Sequence, residues 1–91
     1  MKYQKIKKEI IDAIQIQKEI LNEVLSFVGE DHLMVGEVEE FAERVEIKGL
    51  YVQTMKGTER ASFGDYIIRT DEGYIVMNGT YFETLYEKVA E

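Results

Sequence analysis

The alternation of apolar and polar positions in the last third of the chain predicts a hairpin followed by a helix. Tyr66, Ile67 and Ile68 form one apolar, β-prone run and residues 74–77 a second, with the turn formers Thr70, Asp71, Glu72 and Gly73 between them. Pairing Arg69 with Tyr74 across this four-residue loop places Tyr66, Ile68, Ile75 and Met77 on one face. Asp65, Ile67, Arg69, Tyr74 and Val76 then share the other. Neither face is simply polar, so the hairpin is expected inside a sheet with apolar cover on both sides. Asn78 and Gly79 break the strand. Thr80 and Glu83 have capping-box spacing, and Phe82, Leu85, Tyr86 and Val89 recur at helical intervals. They predict a helix over residues 80–90 whose apolar stripe packs against Ile67 or Ile68.

Earlier in the chain the pattern admits two solutions. Ile6, Ile10, Ala13, Ile14, Ile20, Leu21, Val24, Leu25 and Val28 fit one long amphipathic helix stopped at Gly29. The β-branched Ile10, Ile11, Ile14 and Ile16 favour instead a strand over about residues 9–16, followed by a helix over residues 18–28. Residues 32–35 are a short apolar run expected as a strand ended by Gly36. Val38, Phe41, Ala42 and Val45 have the spacing of a short helix, although Val45 and Ile47 also alternate as a strand would. Leu50, Val52 and Thr54 alternate with Tyr51 and Gln53 and predict a strand, with Lys56 and Gly57 as its turn, residues 58–61 as its return and Gly49 as a bulge.

Composition narrows the class. Of 91 residues, 45% are hydrophobic and 32% charged, with no proline, as expected of a single folded domain of 10.6 kDa rather than a disordered chain. With no cysteine there are no disulfides, thiolate metal sites or cysteine nucleophiles, which fits a reducing compartment. No apolar run approaches the roughly 18 residues of a membrane span, and the N-terminus lacks a signal-peptide core, so a soluble, cytoplasmic protein is expected. Eighteen acidic against eleven basic residues give a net charge of −7, which opposes general nucleic-acid binding and suits a basic partner surface. Lys2, Lys5, Lys7 and Lys8 gather at the N-terminus, and Glu37, Glu39, Glu40, Glu43 and Glu46 make an acidic middle.

Four blocks, taken in order, carry a resemblance. They are KKEIIDAIQ (residues 7–15), EVLSFVG (23–29), TMKGTERASFGDYII (54–68) and FETLYE (82–87). Together they resemble a family of small phage and prophage proteins of unassigned function, which open with a KKPVVIEAIQ-like strand, continue into a helix ending in an LxFVG-like sequence, and close with a GDYII hairpin and an FExTYE-like helix. The resemblance implies a strand over residues 8–16 in place of the long helix. The chain departs from the family at Glu9, where proline is usual, and at Lys18 and Glu19, where glycine and aspartate are usual. After Gly73, YIVMNGT replaces the family's longer acidic, aromatic segment. The resulting expectation is one α+β domain over residues 1–91, with a mainly antiparallel sheet and two principal helices near 18–28 and 80–90.

Candidate chemistry is sparse. His32 is the one histidine, so a metal site needs several carboxylates converging on it, and none is expected. Glu39 with Glu40 and Asp71 with Glu72 sit in predicted exposed segments, Ser26 and Ser62 lack a base at a recognisable spacing, and the turn glycines form no phosphate loop. No catalytic residue and no cofactor is therefore expected. For binding, Arg60, Asp65, Arg69 and Tyr74 lie on or beside the hairpins, where an arginine with an aromatic on a sheet face is able to grip a nucleotide base and phosphate, or else forms ordinary cross-strand pairs. As a phage accessory protein the chain is expected to act as a counter-defence inhibitor of a basic host protein. The alternatives are a sponge for a signalling nucleotide and a structural, oligomerising protein. Too few helices to cover both hairpin faces point to a homodimer burying Ile67, Tyr74, Val76 or Tyr51.

Overall fold

In the computed structural model, which describes residues 1–5 and 10–89, the chain runs β1 (Lys2–Lys5), β2 (Ile10–Gln15), a 3-10 turn (Lys18–Ile20) and α1 (Leu21–Phe27). It continues through α2 (Val35–Lys48), β3 (Leu50–Thr54), β4 (Gly57–Ala61), β5 (Tyr66–Thr70), β6 (Gly73–Met77), α3 (Gly79–Leu85) and β7 (Tyr86–Lys88). One antiparallel sheet has the order β6-β5-β2-β1-β7, and β3 with β4 form a separate two-stranded sheet. The architecture is α+β, with a mainly antiparallel sheet. The start of the predicted opening strand, at residues 8 and 9, lies outside the described residues, as do Ile6 and Lys7.

The hairpin register is the predicted one: Arg69 faces Tyr74, and Thr70 and Gly73 close the pair. Each face has its own cover. Ile67, with Tyr74 and Val76 beside it, joins Ile14, Ile16, Val24, Phe27, Val45, Leu50 and Val52 in one core. Tyr66 and Ile68, with Ile75 and Met77, join Tyr3, Ala13 and Phe82 in the other. β2 lies between β5 and β1, and its Ile14 enters the first core while Ala13 enters the second, so it is covered on both faces and carries the run of β-branched residues that blurred its period. The two cores also supply, within one chain, the cover for which a second chain was invoked. Ile67 is fully buried, Tyr74 and Val76 are half-buried, and only Tyr51, at 63% exposure, stands in solvent.

Both hairpins close with the same device, a threonine three residues before a glycine. Thr54 and Thr70 each accept a hydrogen bond from the amide two residues on and donate to the glycine carbonyl, while Gly57 (φ 109°) and Gly73 (φ 136°) take the left-handed backbone that the tight turn requires.

Several boundaries differ from expectation, each for a tertiary reason. Among the described residues there are three α-helices, and the longest is α2, where only a short segment was expected. Its buried side is no wider than Ala42 and Val45 with half-buried Val38 and Phe41, so five exposed glutamates mask its period. Residues 32–34 are not a strand: the Asn22 side chain accepts from Leu33 N–H (2.8 Å) and donates to Leu33 C=O (3.2 Å), replacing a strand partner. Val35 enters the helix instead. Gly49 (φ 83°) is no bulge but the end of α2, where its N–H reaches Val45 O at 2.8 Å. α3 stops at Leu85, because Tyr86–Lys88 pair with the free edge of β1. Ala90 and Glu91, the end of the predicted helix, lie outside the described residues. The cap of α3 is Asn78, whose Oδ1 accepts from the amides of Thr80 (3.0 Å) and Tyr81 (3.2 Å). Glu83 is thereby released from the predicted capping box and accepts from Tyr66 Oη at 2.9 Å.

Candidate functional site

Beside the first core is a groove of about 450 Å3. One wall is the end of α1 and the loop after it, a second is Phe41 of α2, and Tyr74 of β6 contributes a third. β3 lines the groove with four consecutive residues, Leu50, Tyr51, Val52 and Gln53. The lining is mostly aliphatic and aromatic, and its only charged members are Glu30 and Asp31. Among the described residues no lysine or arginine lines it.

The position of the two carboxylates follows from how α1 ends. Gly29 (φ 81°) takes the left-handed conformation, its N–H bonds to Ser26 O (3.1 Å), and Glu30 N–H reaches back to Leu25 O (2.8 Å). This paired closure needs a residue free of a Cβ at that position. Asn22 then clamps Leu33 from the far side of the loop, so the segment carrying Glu30, Asp31 and Leu33 is tied at both ends. The start of α2 is tied as well: Met34 N–H donates to Glu37 Oε1 (2.9 Å) and Glu37 N–H to Met34 O (2.8 Å).

The four predicted binding residues are not gathered into one site. Arg60 donates from Nε to Lys48 O at 2.7 Å and so closes the C-terminus of α2. Asp65 accepts from Ser62 N–H at 2.9 Å and shapes the loop before β5. Arg69, opposite Tyr74 in the hairpin, lies over the Phe27 ring, 4.4 Å from its centroid, with Asp12 at 3.7 Å and about half of its side chain exposed. Tyr74 donates from its hydroxyl to Phe27 O at 3.1 Å. Of the four, only Tyr74 lines the groove. Asp65 borders a second, polar hollow of about 280 Å3 with Gln15, Asn78 and Glu83. The polar groups of that hollow already hold the fold: Gln15 donates to Gly64 O, Asn78 caps α3 and Glu83 accepts from Tyr66.

One pairing was invisible in the sequence. The Ser26 hydroxyl is hydrogen-bonded to His32 Nε2, across the turn that Gly29 makes, so Ser26 does have a base beside it. Both side chains are exposed and neither lines the groove, and among the described residues nothing bonds the other ring nitrogen. Among the described residues no three histidine, aspartate or glutamate side chains converge as a metal site would require. Among the described residues the one titration clearly displaced is that of Tyr66, whose phenol is pushed up by burial and by its bond to the Glu83 carboxylate. That phenol belongs to the second core, away from the groove.

No family model, no curated protein and no solved structure matches the chain. No helix among the described residues is long and apolar enough to cross a membrane.

Proposed function

We propose that this protein acts by binding another protein, with the groove as its contact site, rather than by catalysis. The observation that carries this reading is an apolar groove whose only charged lining residues are two carboxylates, on a chain of net charge −7. A partner with a basic surface meets favourable charge there and apolar area to bury, the combination that yields a specific contact. A phosphate-bearing nucleotide meets Glu30 and Asp31 instead, and the arginine best placed to grip it, Arg69, is held by Phe27 and Asp12. Protein inhibition is therefore favoured over nucleotide sequestration. The resemblance of the four sequence blocks to small phage and prophage proteins makes the partner a host protein and the role counter-defence.

The experiment is capture of partners from a bacterial lysate on immobilised protein, run in parallel with a variant carrying Glu30→Lys and Asp31→Lys. Both positions are exposed, so the variant is expected to keep its melting temperature. A partner bound by the wild type and lost with the variant supports the reading. Melting-temperature shifts with a panel of nucleotides and signalling dinucleotides form the second arm. Stabilisation by one of them at micromolar concentration, with no lysate protein lost on charge reversal, would replace protein inhibition with sequestration.

A further inference from the structure

The chain holds two asparagines, Asn22 and Asn78, and the second is followed by a glycine. Asn-Gly is the dipeptide most prone to deamidation, because a glycine lets its own backbone nitrogen reach the preceding side-chain amide without steric hindrance. Here neither member is free to be another residue. Asn78 Oδ1 accepts from the amides of Thr80 and Tyr81 and so caps α3. Gly79 lies against the loop before β5, where a Cβ would run into the carbonyl oxygen of Gly64. The fold therefore keeps a chemically labile pair at a junction that it needs.

The same junction controls when the pair reacts. Ring closure requires Cβ of Asn78 and the Gly79 nitrogen to eclipse one another about the Cα–C bond, which brings that nitrogen onto the side-chain Cγ. At ψ 137° the two are swung apart, and the two cap bonds hold the side chain where it is. Asn78 is exposed, so water and hydroxide reach it. α3 has only seven residues and runs straight into the edge strand β7, which makes it a segment that opens without unfolding the sheet.

We infer that Asn78 is a spontaneous deamidation site gated by α3, protected while the helix is docked and exposed at each local opening. The Gly79 nitrogen, its proton passed to solvent, attacks Asn78 Cγ. The new C–N bond closes a succinimide, and the side-chain nitrogen leaves as ammonia with a proton taken from water. Addition of water at Cγ then gives aspartate, and addition at the main-chain carbonyl gives isoaspartate, with the chain rerouted through the side chain. Aspartate keeps an acceptor for both end amides, and its charge suits a helix N-terminus. It also joins Asp65 and Glu83 around the polar hollow. Isoaspartate lengthens the main chain by a carbon where Gly79 has no slack against Gly64, and α3 carries the fully buried Phe82. That product therefore loosens the second core.

The test incubates the full chain at mildly alkaline pH, with and without enough urea to unfold it. Peptide mass spectrometry follows the exchange of NH2 for OH at Asn78. Deamidation in the fold is expected to be about tenfold or more slower than in urea. Asn22, followed by Glu23, is the internal comparison and is expected to stay intact in both over the same period. The separated isoaspartate product is expected to melt clearly below the parent, and Asn78→Asp close to it. Equal rates with and without urea overturn the gating. Absence of reaction at Asn78 in urea overturns the site itself, and an isoaspartate form that melts with the parent overturns its link to the second core.

Discussion

Tyr66 couples the second core to a surface carboxylate. Its ring stacks on Phe82 (centroids 3.8 Å apart, planes 10° from parallel) and its hydroxyl donates to Glu83. Burial first, and then the neighbouring carboxylate, raise its pKa in the fold. The unfolded phenol titrates near 10, so the folded state holds a proton that the unfolded state has lost once the pH passes about 10. This contribution is complete below pH 10 and is lost as the pH rises toward the folded value. Urea denaturation is expected to find wild type more stable than Tyr66→Phe near pH 8, with the gap shrinking above pH 10. Phe82 itself is fully buried and stacks also on Tyr86 at 4.7 Å. Phe82→Ala is expected to cost about 3–5 kcal/mol in the same measurement. Leu85→Ala is expected to cost clearly less, because Leu85 sits half-exposed on the last turn of α3 and outside the buried cluster.

At the scale of elements, chain ends and caps decide what the periodic pattern leaves open. Residues 82–89 have the spacing of a helix, yet α3 has only seven residues, and the chain then pairs Tyr3 with Lys88 and Lys5 with Tyr86. A short amphipathic helix gains little from each further turn, whereas β1 offers an unpaired edge whose hydrogen bonds would otherwise go to water. The start of α3 provides a direct check. Asn78→Ala removes the acceptor for two end amides and is expected to lower stability by about 1 kcal/mol in urea. Thr80→Ala leaves that cap in place and is expected to change stability by less than about 0.5 kcal/mol. The reverse order would restore the Thr80–Glu83 capping box.

For the molecule as a whole, the five-stranded sheet is covered on both faces by the chain's own residues, while the strongly exposed apolar side chains are Ile10, the adjacent Met34 and Val35, Ile47 at the other end of α2, Tyr51 on β3 and Tyr81 on α3. Light scattering at micromolar concentration tests the expected homodimer: a mass of two 10.6 kDa chains supports it, and the mass of one chain, unchanged on concentration, removes it. The sheet order also ranks the strands: β2 and β5 have partners on both sides, while β6 and β7 are edges. Native-state hydrogen exchange is expected to be slowest in β2 and β5 and fastest in β7, with β3 protected only on its β4 side. Uniform protection across the sheet would contradict this order.

What the amino-acid sequence determined alone is what neighbouring residues settle between themselves. The β5–β6 hairpin, its register and the membership of its two faces follow from alternation and a Thr-x-x-Gly turn, and a helix before Gly29 follows from its period, although of the expected residues 18–28 only Leu21–Phe27 are α-helical and Lys18–Ile20 form a 3-10 turn. The beginning of the chain needed more, since β2 shows its strand character only through β-branched residues and a resemblance. Tertiary structure decided the rest because the deciding partner was distant. Tyr86 leaves its helix for β1, more than eighty residues earlier by the chain's own numbering. Leu33 is held by the side chain of Asn22, and Lys48 by that of Arg60. The groove is the extreme case, for its walls come from the loop after α1, from α2, β3 and β6, and no local pattern records that they meet. Its chemistry, two carboxylates among aliphatic and aromatic side chains, exists only where those segments pack together.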